Sequence, residues 1–131
     1  TQARALLRVK LVPMPAGLVR CELAFADPHG LASDDGVRTF LPRSREGIGR
    51  VLDGLRGRAL LYPDDAERRV VVDEVGDVLM RLAAFVHAFR EHVREVEISP
   101  LAVLVGGEVE VREACVVVGD AFERSMLREL G

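Results

Sequence analysis

The segment PDDAERRVVVDEVGDVLMRLAAFVHAFREHV, residues 63–93, limits what this chain can become more than any other stretch. Val75, Leu79, Leu82, Val86, Phe89 and Val93 recur at steps of four and three. At 3.6 residues per turn that spacing keeps one face apolar for about five turns, so a long amphipathic helix is predicted. Asp77, Arg81 and Arg90 fall on its polar side. A helix with one apolar stripe needs a surface to cover, and the next segment supplies one. Residues 97–118, EISPLAVLVGGEVEVREACVVV, are two strand-like runs around Gly106–Gly107, a two-glycine turn suited to a β-hairpin.

Upstream, LLRVKLVPM alternates loosely and reads as a strand stopped by Pro13 and Pro15, and GLVRCELAF reads as a second. The pair forms a predicted hairpin joined at Met14–Gly17, and the second strand ends where Asp27, Pro28 and Gly30 supply turn chemistry. Residues 31–36 read as a loop, and VRTFL as a short strand. Ser44 stands at an N-cap position ahead of Ile48, Val51, Leu52 and Leu55, which share one helical stripe. Gly47 and Gly49 weaken that helix, and Gly54 and Gly57 are expected to end it. ALLY reads as a short buried strand or turn. Asp120 is a candidate cap for a last short helix presenting Phe122, Met126 and Leu130. Strands joined by hairpins and helices between them predict an α+β fold, an antiparallel sheet with helices packed on one face. No repeat, linker or domain boundary is visible in residues 1–131.

Composition narrows the function. The chain is 49% apolar without tryptophan, so its core must be built mainly from Val, Leu and Ala. A net charge of −3 gives no basic patch for nucleic acid or a membrane surface. No run approaches the roughly 18 apolar residues of a membrane-spanning helix, and the N-terminus lacks a signal-peptide core. Cys21 and Cys115 have no His or Cys neighbours at zinc-ligand spacing, and they read as reduced thiols of a cytoplasmic protein. His29, His87 and His92 have no acid partner at catalytic spacing, so no catalytic residue is assigned.

In the first strand of the late hairpin, Val96 and Ile98 point one way and Glu95, Glu97 and Ser99 the other. In the return strand Glu108, Glu110 and Arg112 share a face. Strict alternation then places Glu113 with Val109, Val111, Cys115 and Val117 on the apolar face. A carboxylate there must be paired, protonated, metal-bound or at a rim. Pro100 lacks a ladder donor and suggests irregular pairing. A bulge that turns Glu113 to water therefore stays open beside a ligand role.

These residues carry a resemblance. REVEISPLAVLVGGEVEVREACVVV resembles the C-terminal strand pair of the ATP-grasp domain in NDP-forming acyl-CoA synthetases, and the succinyl-CoA synthetase β subunit has a similar pair. Glu97-Ile98-Ser99-Pro100-Leu101 matches the family's acidic–apolar–Asn–Pro–aliphatic run, and Glu113-Ala114 its closing Asp-Ala. VKLVPMPAGLVRCELAFADPHG is similar to the family's strand, Pro-Met turn and second strand. FLPRSREGIGRVLDGLRGRALL resembles its Leu-Pro pair, helix and Leu-Leu, and DEVGDVLMRLAAFV its long helix. The landmarks keep their order over nearly the whole chain.

The resemblance implies a second subdomain of an ATP-grasp module, part of a larger parent protein. Such modules clamp ATP, or another nucleoside triphosphate, with magnesium between two subdomains and drive acid–CoA ligation. By position, Glu113 and Ser99, helped by Glu97, would hold magnesium, and backbone groups around Val12 and Met14 would form the adenine hinge. The implied partners are the first ATP-grasp subdomain and a CoA-binding domain or subunit. Ser99 replaces the family's Asn, Glu113 its Asp, and Val19 a usual Glu, while Arg68 or Arg69 is the candidate for a basic residue near the start of the long helix. These substitutions motivate an alternative: a degenerate relative without catalysis, serving as an interaction or oligomerisation module such as a homodimer.

Overall fold

A computed structural model of the chain describes residues 2–26 and 32–119. The turn at Asp27–Gly30, with His29, and the last helix expected around Phe122, Met126 and Leu130 lie outside the described residues. Strand β1 (Ala3–Pro13) turns through a single 3-10 turn at Pro15–Gly17 into β2 (Val19–Ala26), closed by the Met14 N–H donating to Leu18 O at 2.8 Å. β3 (Ala32–Leu41) follows, then helices α1 (Arg45–Asp53), α2 (Arg58–Leu61) and α3 (Asp65–Ala88). Three strands close the described chain, β4 (Val93–Leu104), β5 (Val109–Val111) and β6 (Ala114–Val118). The sheet is antiparallel, in the order β3-β2-β1-β4-β5, with β6 continuing beside β4.

One face of the sheet is apolar. Leu7, Val9 and Leu11 of β1, Cys21 and Leu23 of β2, and Val96, Ile98, Leu101 and Val103 of β4 are buried there. Helices α1 and α3 cover it with Ile48, Leu52, Val71, Val75, Leu79 and Val86. The opposite face carries charge in rows. In one, Arg38, Glu22, Lys10, Glu97 and Cys115 lie side by side across five strands. Arg38 donates to Glu22 at 2.8 Å, Lys10 sits 3.0 Å from Glu95, and Arg8 pairs with Glu97.

Ser44 caps α1 as its position predicts, its hydroxyl accepting the Gly47 N–H at 3.1 Å, and Gly54 ends the helix. Gly49 permits a close crossing: a Cβ there would lie 2.7 Å from Arg68 Nη2. Arg68 forks onto Asp53 (3.1 and 2.8 Å), and the Tyr62 hydroxyl donates to the same carboxylate, so α1, α2 and α3 are tied at one point. The Arg68 hydrogen bond holds the Asp53 carboxyl below its usual range, against the opposing effect of burial. Burial, with the bond to Asp53, pushes the Tyr62 hydroxyl up to about 12. The depressed Asp53 value stabilises the fold above the ordinary carboxylate range, near 4, and that stabilisation disappears as pH falls through the folded value. Asp53→Asn is expected to cost about 1–2 kcal/mol at pH 7, less than a fully buried charged hydrogen bond because the carboxylate is partly exposed. The difference from wild type in urea midpoint should close as pH drops below about 4.

Four expectations are corrected. Residues 32–36 are strand rather than loop, with Gly36 opposite Ala24. ALLY lies in and just beyond the short helix α2, not in a strand. Helix α3 stops at Ala88, capped at its start by Asp64, which accepts the Glu67 N–H at 2.8 Å. Phe89 is therefore exposed at the helix end, and Val93 is buried as the first residue of β4. The buried stripe of α3 instead begins at Val71 and Val72 and includes Gly76 and Ala83. The fourth correction concerns Glu113.

Candidate functional site

β4 and its return strand keep one register from Glu95 to Val103, after a shift between Val93 and Glu95. Leu101 lies opposite Val111 and Ile98 opposite Ala114, and the two residues between on each strand stay hydrogen-bonded. The Arg112 N–H donates to Pro100 O and the Ser99 N–H to Glu113 O, each at 3.1 Å. The side-chain alternation nevertheless slips here. Val96 and Ile98 are buried before Pro100, and Leu101 and Val103 after it. β1 records the same irregularity, pairing Val9 with Ile98 but Leu7 with Leu101. A bulge of this kind inserts one residue and switches the face that follows.

The slip turns Glu113 outward. It is exposed, and it shares a groove of about 280 Å³ with Arg8, Glu97, Ser99 and Cys115. Strict alternation had placed it on the apolar face; the bulge alternative is what the fold adopts. Glu97, Ser99 and Glu113, predicted together from sequence, are thus brought together. Arg8 was not foreseen. The alternation in LLRVKLV already puts Arg8 and Lys10 outward, but the partner strand that brings Glu97 to Arg8 is not visible locally. The Glu113 carboxylate has no hydrogen-bond or ion-pair partner among the described residues.

Val12 and Met14 stand apart from this groove. Val12 is opposite Arg20 near the end of β1, and Met14, whose N–H is taken by Leu18 O, follows it. From Arg8 to Met14 the chain spans six residues, about 20 Å at strand rise. Val19 is buried in the core at 2% exposure, so it offers nothing to a ligand. Arg68 is committed to Asp53 and Tyr62 among the helices, and Arg69 borders a groove between α1 and α3, so neither joins the outer face.

The thiols differ in kind. Burial, with the nearby Glu22 charge, pushes the Cys21 thiol up to about 12, whereas Cys115 is exposed. Only the thiolate reacts. One thiol per folded chain, that of Cys115, is expected to react with a disulfide reagent at pH 8, and two after denaturation.

Among the described residues the oxygen donors at the outer groove, beside the Cys115 thiol, are two carboxylates and a hydroxyl, hard ligands of the kind magnesium takes. Magnesium typically binds through one or two carboxylates and completes its shell with water and phosphate oxygens. The set fits a magnesium ion carried in on a nucleotide. It does not fit a resident metal cage, since no group of three or more His, Cys, Asp or Glu among the described residues could hold an ion.

An antiparallel sheet with helices on one face, and a charged second face that no described residue covers, is an ATP-grasp-like fold. In fold the chain matches the ATP-grasp part of NDP-forming acyl-CoA synthetases. The Ca. Korarchaeum cryptofilum dinucleotide forming acetyl-coenzyme A synthetase 1, in complex with coenzyme A and Mg-AMPPCP, superposes with a TM-score of 0.69 at 15% identity, over 91% of this chain and 55% of that one. The complex of that enzyme with coenzyme A, Ca-AMPCP and HgCl+ gives 0.69 at 16%, over 91% and 51%. PH1788 from Pyrococcus horikoshii Ot3 gives 0.68 at 11%, over 91% and 50%. The chain thus spans about half the length of these solved chains. No protein-family model and no curated protein matches it. No described helix is long and apolar enough to cross a membrane.

Proposed function

We propose that this chain supplies one wall of a magnesium–nucleotide site in an ATP-dependent acid–CoA ligase of the NDP-forming acyl-CoA synthetase kind. The observation that carries the reading is the convergence of Glu97, Ser99 and Glu113 beside Arg8 on the sheet face opposite the helices. Glu113 is the principal magnesium ligand, with Ser99 and Glu97 assisting, and the nucleotide phosphates provide the remaining oxygens. Val12 lies further along β1 and Met14 just beyond its end, on the side where the base of an extended nucleotide would reach backbone groups. The opposite wall and the CoA-binding part come from the first ATP-grasp subdomain and a further domain or subunit. Acid activation belongs to that completed assembly, because the described residues offer no nucleophile paired with a base. Two unlinked cysteines suit a cytoplasmic setting.

The test is a titration of the chain with Mg-AMPPCP, followed through its backbone amide resonances, which detect weak binding by a single wall. The expected result is saturable shifts at Arg8, Glu97, Ser99 and Glu113. Absence of any shift up to several millimolar nucleotide refutes the reading.

One observation favours a second reading, the interaction module. Val111, Val116 and Val117 are 44%, 44% and 39% exposed along the β5–β6 edge, and an apolar strand edge is a pairing surface. That reading predicts a concentration-dependent dimer in sedimentation that is indifferent to nucleotide.

A further inference from the structure

A second groove lies on the outer face, on the other side of Arg8. It has a volume of about 420 Å³ and is lined by Arg8, Lys10, Glu22, Ala24, Gly36 and Arg38 among others. Its origin is legible in the strand register. Gly36, Ala24 and Arg8 form one row across β3, β2 and β1, while the next row is Arg38, Glu22 and Lys10. Two small residues stand where the neighbouring row carries long charged side chains, so the row opens into a trough that ends on the Arg8 guanidinium. The trough floor is not forced by backbone strain. A Cβ at Gly36 would meet Leu23 O at 3.6 Å and Ala24 Cβ at 3.8 Å, ordinary contacts. A side chain could be accommodated there, and among the described residues none fills the space.

Among the described residues its walls hold three cations, Arg8, Lys10 and Arg38, against one carboxylate, Glu22. Arg8 and Lys10 are each held from outside the groove, by Glu97 and Glu95 respectively. Arg8 therefore borders both grooves and has one partner among the described residues, Glu97, in the other.

We infer that the Gly36–Ala24 trough is a phosphate-anion subsite, and that Arg8 exchanges Glu97 for the bound phosphate, releasing the Glu97 carboxylate toward Glu113. Guanidinium takes phosphate through two parallel hydrogen bonds, as it takes carboxylate, so the exchange keeps Arg8 satisfied. Loss of its arginine partner leaves Glu97 as a second available oxygen donor beside Glu113, so phosphate in the trough and magnesium in the Glu113 groove favour one another. Thermodynamic linkage makes that help reciprocal. The magnesium half rests on the function proposed above; the anion half does not.

The experiment titrates inorganic pyrophosphate into the full chain, with and without magnesium, against Arg8→Gln, Gly36→Val and Glu113→Gln. Pyrophosphate alone is expected to shift the Arg8 Nε–H resonance and the Ala24 and Gly36 amides. Arg8→Gln and Gly36→Val should each weaken binding on the order of tenfold, the valine by filling the trough. Magnesium should tighten pyrophosphate binding in wild type and not in Glu113→Gln. Circular dichroism melting checks that the variants fold, and valine at a strand position is expected to be tolerated. Pyrophosphate binding that survives Gly36→Val unchanged, or no binding at all, overturns the subsite, even where Mg-AMPPCP still binds at Glu113. Binding at the trough without magnesium coupling overturns the Arg8 exchange. Trough binding by pyrophosphate in a chain that ignores Mg-AMPPCP would instead count against the nucleotide reading alone.

Discussion

Leu79→Ala is expected to destabilise the chain by about 3–4 kcal/mol, while Phe89→Ala costs about 1 kcal/mol or less. Leu79 is 1% exposed at the centre of the α3 stripe, pressed on the sheet with Val75 and Val86. Truncating it removes the transfer free energy of its methyl groups and leaves a cavity that rigid strands beneath cannot close. A domain of this length has a stability of only about 5–15 kcal/mol, so the loss is a large fraction of the total and should lower Tm by about 10–15 °C. Phe89 is 49% exposed, and its ring meets chiefly Phe85, with centroids 5.1 Å apart. The periodic pattern alone assigns both residues to one buried stripe and predicts similar costs. Urea unfolding of the two variants separates that expectation from the observed helix end, and equal losses would contradict the placement of Phe89.

Glu113→Gln is expected to weaken magnesium–nucleotide binding on the order of tenfold or more with Tm unchanged. The side chain is exposed and has no ion-pair partner among the described residues, so its removal costs the fold nothing. Its charge is the uncommitted carboxylate of the groove, Glu97 being held by Arg8. Gln keeps the shape and an oxygen but not the charge that a hard divalent cation requires. Ser99→Ala should cost less, since a hydroxyl contributes a neutral ligand at most. A Glu113→Gln variant that binds Mg-nucleotide as tightly as wild type would remove this residue from the site.

Much of this architecture was legible because its signals are local. The Ser44 cap, the Gly106–Gly107 turn with φ of 104° and 98°, and the Val96–Ile98 alternation each depend on neighbours in sequence, and each is found in the fold. The misjudged features depend on partners far along the chain. Ser33, Asp34, Asp35 and Gly36 look like loop chemistry, yet they extend β3 alongside β2. Val93 continues the helical period by coincidence, being buried from a strand instead. The face of Glu113 could not be read from its own strand, because the bulge at Ser99–Pro100 on the partner sets it. The groove behind Arg8 was hidden for the same reason: Arg8, Ala24 and Gly36 become neighbours only through sheet register. The gathering of Glu97, Ser99 and Glu113 was foreseen through family resemblance rather than through spacing alone.

The most direct test replaces magnesium with manganese, which accepts the same oxygen donors and broadens nearby resonances. Mn-AMPPCP at substoichiometric levels is added to the full chain, and its effect on backbone amides is compared with that of manganese alone. The account predicts selective broadening at Glu97, Ser99 and Glu113 that requires the nucleotide and is lost in Glu113→Gln. Broadening centred on other acidic residues, such as Asp73 and Glu74 of α3, or broadening that persists unchanged in Glu113→Gln, would contradict it.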